Sequence, residues 1–391
     1  MFDYIVIGKG LIGSAAARYL SMRGRTAVIG PDEPPDLATH EGVFASHYDQ
    51  GRITRRLSQD AVWAELARLS IAEYGMIEAE SGVRFHYPVG HLYVPSPGEG
   101  VLAEMAALGD RFGAAYEALD EAALRARWPY LRFPDGWRGL YEAEPAGYIN
   151  PRQLIRAQLT AGQKYGLAVV RETAVSLESG PDYLTVRTDA GQSYQTQRAL
   201  VATGAFGNSF ALLPQKLRVR VKTETIILAE VDPETAARWA AMPSVIYHVE
   251  SPELDSIYLL PPIAYPDGRI YLKMGCNTKV DRYLSDLTEM GEWFRQGDSD
   301  AMLEPMRAAL RGMMPELAAL SWRTGRCVVT YTMHGRPYIG LVGDGRIGVA
   351  VGGNGSGAKS SDGIGWLGAE LLADGRWSAG LAEGMFRPEF V

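Results

Sequence analysis

The residues of this chain that could do chemistry gather in a few short runs, and the first begins at residue 8. Gly8-Lys9-Gly10-Leu11-Ile12-Gly13 follows the run Asp3-Tyr4-Ile5-Val6-Ile7 and precedes Ser14-Ala15-Ala16-Ala17. A strand, three spaced glycines and a small-residue helix form the arrangement that cradles a dinucleotide pyrophosphate. Gly8 permits the tight turn, Gly10 removes a Cβ that would crowd the phosphates, and Gly13 lets helix and strand pack closely. The free N–H groups at the helix start, around Leu11 and Ile12, then point at the negative charge. A purely structural glycine turn is the alternative.

A second run, His47-Tyr48-Asp49-Gln50-Gly51-Arg52-Ile53-Thr54-Arg55-Arg56, holds three arginines in five residues. A guanidinium fork matches a carboxylate at two points, which suits Arg55 to a substrate clamp. An ordinary basic surface is the alternative, and Arg56 reads as a solvated neighbour. Further on, Arg269, Tyr271 and Lys273 alternate along one face of a strand. Lysine is uncommon inside a sheet, so Lys273 is either a solvated edge residue or a functional one. Cys327-Val328-Val329-Thr330-Tyr331-Thr332 places a cysteine in a strand-like run, as a small buried hydrophobe or as a reactive thiol. Finally Gly353-Asn354-Gly355-Ser356-Gly357-Ala358-Lys359 forms a glycine loop with an ammonium at its end, an anion site ahead of a helix.

These runs need elements to hold them. Thr26–Ile29 reads as the second strand of the nucleotide unit, whose end normally carries an acid for the ribose hydroxyls. Proline holds that slot here and the acid comes one position late, at Asp32. Residues 33–60 lack periodicity, and a long loop of that kind inside a domain tends to be functional. A helix follows with Val62, Leu66, Leu69 and Ile77 near one face and Gly82 as its stop. Asn150-Pro151 reads as an N-cap and first helical position. The strand at 198–201 runs into Ala202-Thr203-Gly204, small residues suited to close approach of a ligand. Pro266-Asp267-Gly268 marks a hairpin turn.

The chain has 391 residues, 47% hydrophobic, with a net charge of −7. That length implies two domains, and that charge disfavours nucleic acid as a partner. No apolar run is long enough for a membrane span, and the N-terminus enters a strand with no leader pattern. Two cysteines exclude a disulfide framework and suit a reducing cytoplasm. The six histidines show no metal-ligand spacing.

Taken in order, these runs resemble the D-amino-acid oxidase superfamily of FAD enzymes, and within it the branch of monomeric sarcosine oxidase and N-methyltryptophan oxidase. His47 to Arg56 is similar to that branch's His-Gly-Asp-x-Arg-x-x-Arg segment with one residue inserted. Tyr271-Leu272-Lys273-Met274-Gly275 resembles its Leu-Lys-Leu-Gly strand, and Cys327 to Thr332 its Cys-x-x-Thr-x-Thr segment. The resemblance implies FAD, covalently bonded at Cys327. It places Gly8, Gly10, Leu11, Ile12, Gly13, Asp32, His47, Arg52, Ile53, Val175, Thr203, Gly204, Gly353, Asn354, Gly355, Ser356, Gly357 and Lys359 around the cofactor. It puts Lys273 at flavin N5 as the oxygen-activating charge, Arg52 near the flavin ring, and Arg55, Lys359 and Tyr258 around the substrate. For Tyr258, packing against the two prolines that follow Leu260 is an equal alternative. Asn277 stands where the branch has histidine, which separates this chain from sarcosine itself.

The implied fold is α/β, a Rossmann-like FAD-binding domain with a second α+β substrate domain on an antiparallel sheet. The expected segments are 1–80, 149–213 and 326–391 for FAD, and 81–148 and 214–325 for substrate. The implied reaction oxidises a secondary or tertiary amine, an N-methyl or cyclic amino acid, by hydride transfer to N5, imine hydrolysis and reduction of oxygen to hydrogen peroxide. A dehydrogenase of the same fold that passes electrons to a quinone or partner flavoprotein is one alternative. A flavin-binding subunit without catalysis is another, and the oligomeric state is left open between monomer and homodimer.

Overall fold

A computed structural model describes residues 1–98, 100–249 and 251–391. Two large sheets and a three-stranded one account for its strands. The first large sheet is built from the runs that flank the glycine motif. Phe2–Ile7 lies between Thr26–Ile29 and Ser193–Val201 and pairs parallel with both. Ala168–Val170 extends the sheet beyond Thr26–Ile29, and Ile347–Val351 extends it beyond Ser193–Val201, again in parallel. Such strands are covered on both faces, which is why their sequences read as unbroken apolar runs.

One covering layer consists of the helices Leu11–Ser21, Pro151–Gln163 and Gly357–Asp374. Alanine and glycine allow the close approach. A Cβ added at Gly365 would sit 2.7 Å from Ala15 Cβ, and one at Gly13 would overlap the carbonyl of Gly8 at 1.8 Å. Between the helices, the fully buried Arg18 reaches Gln158 (Nε to Oε1, 2.6 Å) and Asp362 (Nη2 to Oδ1, 3.2 Å). The caps form as the sequence requires. Asn150 Oδ1 accepts from the N–H groups of Arg152 and Gln153, and Gly82 ends the helix Ala61–Ser81 in a left-handed conformation at φ 71°.

The second large sheet has nine strands, antiparallel except where Ser244–Tyr247 runs parallel to His91–Val94. Val219–Val231 pairs with Ile270–Thr278 on one edge and, over twelve residues, with Ser321–Thr332 on the other. The strand Ser321–Thr332 therefore carries the second sheet past residue 325. Leu254–Ala264 and Ile270–Thr278 form the hairpin expected at Pro266-Asp267-Gly268, where Gly268 has φ 80°. A core rich in Leu, Ile, Val, Met and Trp packs against this sheet. Among the described residues no helix is long and apolar enough to cross a membrane.

Candidate functional site

A cavity of about 910 Å³ runs from the glycine motif to the second sheet. Gly8, Gly10, Leu11 and Ile12 line one end with Gly30, Asp32 and Glu33. The turn is built as its residues demand. Gly8 has φ 109°, and a Cβ there would lie 2.4 Å from the Ala202 carbonyl oxygen. A Cβ on Gly10 would meet no protein atom within 4 Å, because it would project into the open cavity. Gly13 does not line the cavity; it sits behind the turn against Gly8, as the close-packing role requires.

Two helices begin at this cavity. Leu11–Ser21 starts at Gly10 and Gly357–Asp374 at Ser356; neither has a side-chain cap or an acidic residue in its first turn. Their free N–H groups favour negative charge. Gly353, Asn354, Gly355, Ser356 and Gly357 line the wall between them and the second sheet. Asn354 holds the loop, its Oδ1 accepting from Thr332 N at 2.9 Å. Thr203 and Gly204 are also on the wall, and the buried Thr203 Oγ1 has no protein partner. Uncapped helix starts, open space beside Gly10 and this orphaned hydroxyl all fit a bound dinucleotide.

After the strand Thr26–Ile29, Asp32 pairs with Lys9 and, at 2.9 Å, with Arg171, while Glu33 pairs with Arg152. Val175 does not line the cavity. Its neighbours Thr173 and Ala174 do, because side chains alternate along the strand Ala174–Ser179 and the chain turns at its start.

The other end collects the arginine run. Arg52, Ile53 and Arg55 line the cavity, with Ile53 in a short strand, Arg52–Thr54, paired to Gly147–Ile149. His47 lines it too; burial and the neighbouring Arg52 push its pKa down to about 3, so the ring is neutral. Arg55 donates to the Leu57 carbonyl, and burial lowers its pKa. Lys359 Nζ is buried with no hydrogen-bond partner, 5.5 Å above the Trp63 ring, and burial with Arg55 nearby drives its pKa well below the ordinary value. The half-buried Arg55 and the buried Lys359 thus bring two basic groups to this end, an arrangement that an anion would stabilise.

Arg56 differs from its expected solvated state. Its side chain pairs with the fully buried Glu142 at 3.4 Å, and the same carboxylate accepts from the N–H groups of Arg56 (3.0 Å) and Leu57 (2.9 Å). Glu142 therefore fixes the backbone that carries Arg55.

Lys273 and Cys327 lie behind the cavity wall rather than on it. Lys273 sits in the middle of the sheet, between Leu228 and Leu260, which excludes the solvated-edge alternative. Its Nζ donates to Asp49 Oδ2 at 2.8 Å and to the Gly51 carbonyl at 2.9 Å, with the Tyr258 ring 5.2 Å away. Burial raises the Asp49 carboxyl pKa, but Arg52 and Lys273 outweigh it and hold the group ionised far into acid. Cys327 Sγ lies 3.3 Å from Arg52 Nη2 and 3.7 Å from Asp49 Oδ2, and burial pushes its pKa up to about 12.

Tyr258 does line the cavity, and its hydroxyl donates to Glu224 Oε1 at 3.2 Å. Glu224 and Asp49 were not anticipated as site residues. Glu224 lies in the polar half of the strand Val219–Val231, beside Lys222, Thr223 and Thr225, so its sequence surroundings did not mark it. Asn277 lines the wall as well, its Oδ1 accepting from Lys222 Nζ at 2.6 Å.

Comparison with known proteins identifies the family and the fold. The chain is 27% identical over 222 residues to N-methyl-L-tryptophan oxidase of Escherichia coli (strain K12), a match covering 55% of this chain and 56% of that protein. The chain thus spans about half the length of the curated relatives it matches. Among solved structures, NikD, an unusual amino acid oxidase essential for nikkomycin biosynthesis, superposes with a TM-score of 0.77 at 18% identity, over 100% of this chain and 98% of that one. L-proline dehydrogenase from P. horikoshii gives 0.71 at 17% identity, over 97% and 95%. At such identities the likeness shows the fold. The sequence profile of the DAO family, described as FAD dependent oxidoreductase, matches residues 3–371. This chain belongs to the DAO family of FAD-dependent oxidoreductases.

Proposed function

We propose that the protein is an FAD-dependent amine oxidase acting on small amino acids whose nitrogen is secondary or tertiary, N-methylated or in a ring. The observation that carries this reading is the pair Arg55 and Lys359, a half-buried guanidinium and a buried amine in one cavity, the second without a hydrogen-bond partner. A substrate carboxylate would meet both, with the planar fork of Arg55 setting its orientation. FAD, when bound, supplies the hydride acceptor and the route of electrons to oxygen. The chain's part is to bind, orient and exclude water. Tyr258 borders the substrate end, and Glu142 keeps Arg55 in place through the 56–57 backbone.

Cys327 is the proposed covalent anchor, with Arg52 and Asp49 beside its sulfur. Lys273 is the proposed charge for oxygen reduction, held by Asp49. The products are an imine, which hydrolyses in water, and hydrogen peroxide. The cytoplasm is the proposed compartment, from the two unpaired cysteines. Oxygen uptake with matching peroxide release, on addition of N-methylglycine, L-proline or N-methyl-L-tryptophan, tests this reading.

One observation favours a second reading. Lys273 Nζ is engaged by Asp49 and the Gly51 carbonyl and does not reach the cavity wall. A dehydrogenase delivering electrons to a quinone or partner flavoprotein would need no free ammonium there. Amine-dependent loss of flavin colour without oxygen uptake would establish it.

A further inference from the structure

The charges at the substrate end of the cavity do not balance within the protein. Lys222 pairs with Asp281 at 2.7 Å, while Asp49 is shared by Arg52 and Lys273. Arg55 and Lys359 remain as basic groups facing the cavity, the Lys359 amine without a hydrogen-bond partner. Glu224 also faces the cavity, with a side chain only 10% exposed. Its hydrogen bond comes from a neutral group, Tyr258, and the nearest cation, Arg52 Nη1, stands at 4.0 Å. The other acids on the wall, Asp32 and Glu33, follow the strand Thr26–Ile29 at the dinucleotide end and are paired with basic side chains there.

Position reinforces the argument. Glu224 pairs with Cys327 across the sheet, and its strand neighbour Ile226 pairs with Gly275, two residues before Asn277. Glu224, Tyr258 and Asn277 thus form one polar patch on the second sheet, whereas Arg55 and Lys359 come from the 52–57 segment and the helix Gly357–Asp374. A ligand with an anion at one point and a cation at another would satisfy both sets. With one hydrogen bond from Tyr258 and one ion contact at 4.0 Å, the Glu224 carboxylate keeps acceptor positions open to a charge-assisted N–H donor from the cavity.

We propose that Glu224 receives the protonated nitrogen of the substrate, so that the cavity selects amino-acid zwitterions over plain carboxylates. Arg55 and Lys359 take the carboxylate; Glu224, with the Tyr258 hydroxyl bonded to it, takes the ammonium. The proposal rests on the amine-oxidase reading and deepens it by assigning recognition of the nitrogen to a residue of the second sheet.

The test uses the flavin-loaded protein without oxygen. N-methylglycine, L-proline and N-methyl-L-tryptophan are titrated while the visible flavin spectrum is followed. Butyrate and cyclopentanecarboxylate, which replace the nitrogen of the first two by carbon, are titrated in parallel and read by the small shift a bound anion gives the same spectrum. Glu224→Gln keeps the volume and the acceptor for Tyr258 while removing the charge. The variant is expected to raise the half-saturating amine concentration roughly 10- to 100-fold. The carboxylates should bind within about twofold of their wild-type strength, since their contacts with Arg55 and Lys359 are untouched. Glu224→Asp, which keeps the charge, should lie between Gln and wild type for the amines. An unchanged amine titration in Glu224→Gln overturns the proposal and leaves the amine-oxidase reading standing. Equal weakening for amines and carboxylates also overturns it, by showing a collapsed cavity. Failure of every amine to bleach the wild-type flavin removes the reading and the proposal together.

Discussion

Asp49 Oδ2 stands 2.8 Å from Lys273 Nζ and is also the ion-pair partner of Arg52. A single carboxylate on the long loop at 33–60 is thus shared by a lysine in the middle of the second sheet and an arginine on the cavity wall. The ionised Asp49 makes the positive charge of Lys273 tolerable in the interior, where burial lowers its pKa. Removal of either member leaves the other exposed to that cost.

Asp49→Asn should therefore destabilise the protein by about 3–5 kcal/mol, the usual result of breaking a buried pair from one side. Lys273→Met should cost less, because Asp49 keeps Arg52. Denaturant titration of the two variants against wild type gives the ranking, and an Asn variant as stable as wild type contradicts the role assigned to Asp49.

Lys273→Met should also separate the two halves of the reaction. Flavin reduction by an amine should stay close to wild type, and reoxidation by oxygen should slow by orders of magnitude, as expected when a charge beside developing superoxide is lost. Stopped-flow measurement of each half separately decides this. Equal loss in both would place Lys273 in the scaffold alone.

Lys359 predicts a pH effect with a definite sign. Burial lowers its folded-state pKa well below the ordinary 10.5. Between those values the unfolded chain holds a proton that the folded one does not, so the lysine's contribution to stability rises with pH across that window. Without an amine or carboxylate ligand, Lys359→Met should be more stable than wild type at neutral pH, and the gap should close towards pH ~10.5. Denaturation of both proteins at a series of pH values provides the comparison, and a gap that widens with pH refutes the assignment. With a carboxylate bound the order should narrow or reverse, because the ammonium then has its partner.

Glu142→Gln tests positioning. The amide can accept fewer and weaker bonds from the N–H groups of Arg56 and Leu57, at a cost of about 1–3 kcal/mol. Arg55 is carried by the same backbone, so the amine concentration for half-maximal rate should rise more than the maximal rate falls. Loss confined to the maximal rate would mean that Glu142 does not act through Arg55.

The neutral thiol of Cys327 makes a further claim testable. Acid precipitation of the wild-type protein should leave flavin colour in the pellet, and Cys327→Ser should release it to the supernatant. Colour released by wild type removes the covalent bond from the account and leaves the cavity assignment intact.

Local features carried most of what could be read from the chain. Gly8, Gly10 and Gly13 act through the backbone within one turn, and Asn150 and Gly82 act within one helix end, so neighbours in sequence were enough. Lys273 could be singled out because a lysine amid Tyr271, Leu272 and Met274 is anomalous, though its partner could not. Asp49 lies 224 residues from Lys273, and only the docking of the loop onto the sheet brings them together. Arg56 read as solvated because nothing nearby in sequence announces Glu142, which arrives from a strand 86 residues away. Glu224 sits among Arg220, Lys222, Thr223 and Thr225, where a charge is unremarkable, and its meaning depends on which other charges share the cavity, a property of the tertiary fold.

The central claim is that this cavity oxidises an amine held by its carboxylate. The direct measurement is anaerobic addition of N-methylglycine, L-proline and N-methyl-L-tryptophan to the flavin-loaded wild type and to Lys359→Met, with the visible flavin band followed over time. The account predicts bleaching of the wild type by at least one of these amines, and bleaching of Lys359→Met only at concentrations roughly tenfold or more higher. A flavin band unmoved by every amine, or one bleached equally well in both proteins, would contradict it.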